Sequence, residues 1–516
     1  MTPTSPLLLL LVLVQSVLCD DIVPQDCHYD SPGHLSCHLT SINSRHERTD
    51  FSVISNQTVG LTVICTQSVL GELQMGAFSS LKMLQELSID NCLLKDLPYG
   101  LFYGLENLKR LNIKTQNKVP LTVQPGAFNH LEALEALDLS QNMIRSLPAG
   151  EICKLAKLRS LNLANNQISS LLDLGALDHC DNDLRTVDLS HNHLTGIEES
   201  PALKSWSQLE QLRIENNFVR FITENVFSSS LSQLHLSNNQ LSHLPAGVFQ
   251  SLSLRELHLA NNSLASLPAP LLQGQLGLEI LDLSGNILMS PGLPTNLTQD
   301  LPNLLELDLS SNHLSSLSTL LTEPLLNLQV LKVADNQLKE ISLSAKMINL
   351  ANIDLSNNFI RKVSEESFAG QESLTHLSLA SNEISEIDSQ AFRNLSTLLV
   401  LDVSHNKLFT LPACVRHLSG LQTLDVSNNF ISDISQQDLD PVANLWRLQM
   451  HGNLLLNRSI NDFPAMHMIL DQAVLLEKIF AKDFPFSSAT LLHVVLKFVI
   501  IQPSTQVNLQ VTEWFL

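Results

Sequence analysis

Residues 234–249 read LHLSNNQLSHLPAGVF, and the stretch from residue 257 opens LHLANNSLASLPAPLL, the same phrase one period later. Aligned on Leu-x-x-Leu-x-Leu-x-x-Asn, the 516-residue chain holds sixteen copies spaced 22 to 26 residues apart. Their ninth positions are Cys92, Gln116, Asn142, Asn166, Asn192, Asn217, Asn239, Asn262, Asn286, Asn312, Asn336, Asn358, Asn382, Asn406, Asn429 and Asn453. A fixed period of this length means one supersecondary unit written many times. In Leu-x-Leu both leucines point the same way, because side chains alternate along a strand. One such strand cannot bury its own apolar face, so the units must stack. The Asn at position nine can then hydrogen-bond turn backbone that stacking would leave buried and unpaired. Cys92 is small enough to stand in there, and Gln116 followed by Asn117 suggests a locally shifted turn.

This regularity is that of a leucine-rich repeat. The expected fold is an α/β leucine-rich-repeat solenoid, a horseshoe with a parallel sheet on its concave face and an irregular or short-helical convex face. Phe102, Phe128, Phe227, Phe249, Phe368 and Phe392 recur in the return halves and should stack as a column inside the outer wall. Parallel strands about 4.8 Å apart give sixteen repeats an inner arc of roughly 70 Å. Such a wall suits macromolecules, since small molecules are normally held in enclosed clefts.

Residues 1–19 carry an apolar run from Leu7 to Val14, then Val17 and Cys19 where small residues precede a secretory cut, and are expected to be a signal peptide. The run is too short for a bilayer, which needs about 20 apolar residues. Cysteines reaching an oxidising compartment can form bridges. Cys27 and Cys37 suit a hairpin cap, Cys65 and Cys92 could close a loop onto the first repeat, and Cys153 and Cys180 could bridge adjacent repeats. Cys414 has no evident partner and is expected to be a buried free thiol. Asn-x-Ser/Thr acceptors at Asn56, Asn261, Asn296, Asn394 and Asn457 fit the same route. Residues 20–80 are therefore expected to form a Cys-containing N-terminal cap, 81–456 the repeats, and 457–516 a non-repeat tail. Within that tail Phe463 to Ala481 has helical character. Leu491 to Ile501, broken by His493 and Lys497, does not read as a membrane span. The tail is expected to be an alternative or misread end of a longer gene.

The formal charge of -21 at pH 7 repels phosphate backbones, so nucleic acid is not expected as a partner at neutral pH. Eighteen histidines would bring the charge to about -3 if all were protonated, which weakens the objection in an acidic compartment.

The front block, with CHYDSPGHLSCHLTSIN, TDFSVISNQTVGLTVIC, LQELSIDNCLLKDLPYGLF, LKRLNIKTQN and LDLSQNMIRSLPAGEICKLAKLRSLNLANNQISSLLDLG, resembles the ectodomain start of the long arthropod Toll receptors, the 18-wheeler and Tollo type. The likeness covers about residues 20 to 456 and includes irregular pieces such as SIDNC and the Cys153 and Cys180 pair. It implies a single-pass cell-surface receptor whose repeats bind protein ligands, including cystine-knot cytokines of the Spatzle kind, or pair with the same or another Toll receptor, in immunity or development. The chain departs from that pattern downstream, where it carries no Cys-rich cap after the repeats, no second repeat block, no membrane helix and no TIR domain. As written it would be secreted and bind without signalling. The alternatives are a secreted leucine-rich-repeat decoy or carrier and a cell-adhesion protein.

Positions three, five and seven of each repeat should face the concavity, and they are net acidic. Asp138, Asp188, Asp282, Asp308, Asp354, Asp402 and Asp425 form a series at position five, which the repeat consensus alone accounts for. Between Asp188 and Asp282 that position is taken instead by Arg213, His235 and His258 in three consecutive repeats. Neighbouring strands would hold these within about 5 Å, where the histidines could respond to endosomal acidification. These five residues are the expected ligand row. No aromatic occupies any position on that face, so Tyr99 and Tyr103 in the front repeats, Tyr29 in the cap, and the lateral edges are equally open as contacts. No catalytic or metal-binding motif and no cofactor is expected, and an enzyme is excluded on the same ground.

Overall fold

Most of the repeats form a three-residue strand whose middle side chain is buried while its neighbours lie toward the open face, as in Gln233–His235 around Leu234, and the first two form five-residue strands, Glu86–Asp90 and Arg110–Lys114. A computed structural model describes residues 26–455 except 40, 43–50, 67–69, 116–118, 176–182, 201–202, 204–205, 291–292, 294–300, 318–324 and 435. The chain divides into two units, one of residues 1–359 with 369–371, the other of residues 360–368 with 372–516. The expected signal peptide, Gln116, Cys180, Asn296, Asn457 and the 457–516 tail all lie outside the described residues.

In the first unit the strands pair in parallel, one per repeat, from Glu86–Asp90 to Asn352–Asp354. Equivalent repeat positions face one another throughout, so that Arg213, His235, His258 and Asp282 are successive neighbours. This is the leucine-rich-repeat solenoid. The ladder begins inside the segment assigned to the cap. His34–Leu39 and Gly60–Cys65 already pair in parallel with each other, and Gly60–Cys65 pairs with Glu86–Asp90, because Leu61-x-Val63 supplies the same alternation without the full motif. Among the described residues only Cys27–Ser31 runs antiparallel, against His34–Leu39, and covers the first rung. Its turn uses Gly33 at φ 79°, a left-handed conformation that glycine adopts at no steric cost. Disulfides join Cys27 to Cys37 and Cys65 to Cys92, the second tying position nine of the first repeat to the strand before it. Cys153 is also disulfide-bonded.

Position nine works as a backbone clamp. Asn262 Nδ2 donates to the carbonyls of Leu259 and Ala260 in its own turn and of Leu236 in the preceding repeat, while its Oδ1 accepts from the Leu241 amide. The residue before it is left-handed in repeat after repeat, most often Asn or Gly as at Asn216, Asn238, Asn261 and Gly285, but also Gln141, His191, Ser311, Asp335, Ser381 and His405.

Phenylalanines fill the return side in separate runs rather than one column. Phe51, Phe78, Phe102 and Phe128 stack in sequence at 4.7 to 6.3 Å, and Phe227 stacks on Phe249 at 6.5 Å. Among the described residues the return segments of the first unit curl into 3₁₀ turns such as Ile152–Lys154 and Leu171–Leu174.

The second unit repeats the scheme with parallel strands His376–Ser378, Val400–Asp402, Thr423–Asp425 and Arg447–Gln449. Phe368 packs on Phe392 at 6.1 Å. Cys414 lies buried in the 3₁₀ turn Ala413–His417, and burial pushes its thiol up to about 12. A single α-helical turn spans Gln436–Leu439. Among the described residues no helix is long and apolar enough to cross a membrane.

Candidate functional site

The aspartates at position five have a local job. Asp138, Asp188, Asp282, Asp308, Asp354, Asp402 and Asp425 each accept, through Oδ1, the backbone amide two residues on, at 2.8 to 3.0 Å. An Asx-type bond of this kind closes the strand into its turn, so the Leu-Asp-Leu-Ser pattern follows from backbone geometry without any ligand. Where the row switches to Arg213, His235 and His258, the side chains turn to one another and to carboxylates instead.

His235 and His258 stack nearly parallel, 4.5 Å between ring centres and 6° between planes. Arg213 donates through Nη2 to Glu215 at 2.8 Å while remaining partly exposed. The same Glu215 oxygen lies 3.9 Å from His235 Nδ1. On the other side His258 Nδ1 lies 3.8 Å from Asp282 Oδ2, and His258 Nε2 lies 3.7 Å from Glu256 Oε2. Glu256 is oriented by its other oxygen, which accepts from Gln233 Nε2 at 2.7 Å.

The two imidazoles are driven in opposite directions. Burial, followed by the neighbouring His258, pulls His235 below the ordinary histidine range against the attraction of Glu215. The hydrogen-bonding carboxylate of Asp282 raises His258 in spite of its burial. Burial alone would raise Asp282, but bonds from His258 and Ser284 outweigh it and leave that carboxyl lowered. Two atoms of the cluster, His235 Nε2 and Glu215 Oε2, are buried without a hydrogen-bond partner.

Asp188 enters the same register beside Arg213, so the five residues expected in the ligand row are brought onto one face. Tyr99 and Tyr103 are not. They project from the return side in the turn after Asp96–Leu97, 53% and 48% exposed, with Tyr103 edge-on to His130 at 5.0 Å. Tyr29 is exposed on the cap strand. The open face at the front end forms a groove of about 560 Å³ lined by Asp30, His34, Glu86, Arg110, Asn112 and Asp138 among others.

Exposed aromatics gather where the sheet turns into its lateral edge, immediately after position nine. Phe218 follows Asn217 and stacks on His193, which follows Asn192, at 5.8 Å and 3°. Phe221 lies nearby over Gly196. In the second unit Phe430 follows Asn429 and stacks on Phe409 at 5.7 Å. An aromatic or His directly after the conserved-pattern Asn was the signal in the sequence, although position ten is hidden from any count of the sheet face alone. Asn261 is exposed at a left-handed position eight, Asn56 is exposed in the cap, and Asn394 is partly exposed in the second unit.

A family model described as "Leucine rich repeat" matches residues 115–168, 182–241, 207–264, 229–288 and 348–408, and a second leucine-rich-repeat model matches 157–180. Among curated proteins, the leucine-rich repeat-containing G-protein coupled receptor 5 of Xenopus tropicalis is 29% identical over 49% of this chain and 25% of its own length. Keratocan of Gallus gallus is 32% identical over 50% of this chain and 60% of its own. The chain thus spans less than two thirds of these relatives. Among solved structures, the Toll–Spatzle complex of Drosophila development and innate immunity is similar with a TM-score of 0.61 at 24% identity, covering 77% of this chain and 55% of that one. That likeness is one of fold.

Proposed function

We propose that this chain is the binding ectodomain of an extracellular, Toll-like leucine-rich-repeat protein, delivered through the secretory pathway, whose ligand is a folded protein such as a cystine-knot cytokine or a partner receptor. The observation that carries this reading is the pairing of a long, net acidic open sheet with solvent-exposed stacked aromatics along its lateral edge. Exposed aromatics supply the anchor energy that a purely charged wall lacks, and the acidic row supplies steering toward a cationic partner. In the first unit Phe218 and His193 border the strands that bear Asp188 and Arg213. A secreted carrier or adhesion protein is the second reading, favoured by the likeness to keratocan over half the chain. Tyr99 and Tyr103 belong to a separate return-side surface.

Surface plasmon resonance of the secreted chain against a basic cystine-knot cytokine tests the proposal. Phe218→Ala should weaken binding by at least about 10-fold, Asp188→Asn should slow association and flatten its salt dependence, and Tyr99→Ala on the return side should change neither. Binding indifferent to both Phe218 and Asp188 would refute the assignment.

A further inference from the structure

We infer that His235, Glu256 and His258 form a binding site for a divalent transition-metal ion, with zinc the best fit. The inference stands apart from the protein ligand proposed above.

The three side chains offer donor atoms that all lie within 4.8 Å of one another. They come from two adjacent strands locked in register. Glu256 and His258 sit two apart on one strand and so share its open face, while His235 occupies the position facing His258 on the next. No single strand could present three such donors this closely.

The surroundings are arranged as a metal requires. A ligating histidine normally turns its second ring nitrogen toward a carboxylate or carbonyl, which fixes the ring and makes the ligating nitrogen more basic. Both rings face a carboxylate with Nδ1, at distances that would have to shorten to become hydrogen bonds. His235 Nδ1 is directed at Glu215 at 3.9 Å and His258 Nδ1 at Asp282 at 3.8 Å, leaving the two Nε2 atoms for a common centre. His235 Nε2 is buried and has no partner, a state that carries a desolvation cost unless something fills it. Glu256 is held by Gln233 through one oxygen, which leaves Oε2 turned toward His258 Nε2 at 3.7 Å. Of the neighbouring cations, Arg213 is engaged by Glu215 and Arg255, which also feels Glu256, is engaged by Glu279, so each opposes a dication less than its formal charge implies.

Donor chemistry selects the ion. Two imidazoles with one carboxylate suit zinc and its first-row neighbours, lack the all-oxygen set of calcium and magnesium, and lack the sulfur of a copper(I) site. Metal-to-nitrogen bonds of about 2.0–2.1 Å in a tetrahedron place donors roughly 3.3 Å apart. The widest donor pair, within 4.8 Å, therefore has to close by up to about 1.5 Å and the stacked rings must splay. The fourth position faces the open side of the sheet and is available to water or to a donor from outside.

The full secreted chain, stripped with chelator, is titrated with Zn²⁺ by calorimetry and with Co²⁺ by visible absorption. One equivalent is expected to bind, with the intense d–d bands of a four-coordinate cobalt site. Since loss of a mere outer partner costs about 10–100-fold in affinity, Asp282→Asn should fall in that range. Removing a ligand by His235→Ala or His258→Gln should cost more. Circular dichroism without metal confirms that each variant is folded, and Asp282→Asn, which keeps size and shape, serves if a ligand variant is not. His28→Ala tests the other stacked histidine pair, His28 with His38, and should leave binding unchanged. Absence of stoichiometric binding, or binding that survives both the His235 and the Asp282 changes, overturns the inference. Neither outcome bears on the cytokine measurement.

Discussion

At the scale of single residues, the repeat consensus is a set of solutions to backbone bookkeeping. Asn at nine satisfies buried turn carbonyls, a left-handed residue precedes it, and Asp at five closes the strand by accepting an amide. The clamp role of Asn was legible in the sequence because stacking imposes it repeat after repeat, whereas the left-handed residue before it and the amide bond of the Asp at five emerged only from the backbone geometry. Glu215 and Glu256 were not legible as partners of the histidines, because positions three and seven vary freely and only the register shows which of them meet. Closing the strand has a cost that pH can expose. Burial, with a smaller push from neighbouring Asp425, raises Asp402 above its ordinary range, and its bonds from Ser404 offset this only in part. A carboxyl raised in the folded state favours folding less once ionised, so its ionisation weakens the fold as pH climbs through the raised value. The effect vanishes below the unfolded value near 3.9. Asp402→Asn keeps an acceptor for the Ser404 amide and removes the charge. Its thermal midpoint should exceed wild type at pH 7 and converge with it toward pH 3.5, as followed by circular dichroism.

At the scale of elements, a strand three residues long is too short to persist alone, and the stability of each unit comes from the leucine and phenylalanine layers it shares with the next. Phe102 is fully buried between Phe78 and Phe128. Sequence periodicity showed that phenylalanines recur in the return halves. It missed Phe51 and Phe78, which precede the first full motif, and it joined into one column what are separate runs, because Ile152, Leu203 and Leu272 take the equivalent buried place in intervening repeats. Phe102→Ala should therefore cost about 3–5 kcal/mol in urea unfolding, the range for a large aromatic removed from a closed core. The exposed Phe218 differs in kind. Its truncation should change stability by no more than about 0.5 kcal/mol, so any binding loss at Phe218 reports on recognition.

At the scale of the whole chain, what matters is that contacts run almost entirely between neighbouring repeats. The period revealed this from sequence alone, and Cys27 with Cys37 already pointed to a hairpin at the front, whereas the early start of the parallel ladder at His34–Leu39 became visible only through strand pairing, since that segment does not carry the motif. A molecule built by nearest-neighbour stacking tolerates loss of a complete unit far better than loss of part of one. Excising residues 234–256 joins Gln233 to Leu257, and these occupy consecutive repeat positions because Gln233 faces Glu256 and Leu234 faces Leu257 across the two strands. The shortened protein keeps its Asn clamps at 217 and 262 and regains an intact strand ending at His258. It should be secreted and unfold cooperatively in urea at a midpoint close to wild type. Excising only 234–245 removes the strand and clamp of one repeat but leaves its return half with nowhere to stack, and should abolish secretion. The full excision also deletes His235 and Glu256, so a folded product that no longer binds cobalt would separate the architecture of the solenoid from the site it carries. A folded product from the half excision would instead show that the return segments are independent of the strands they follow.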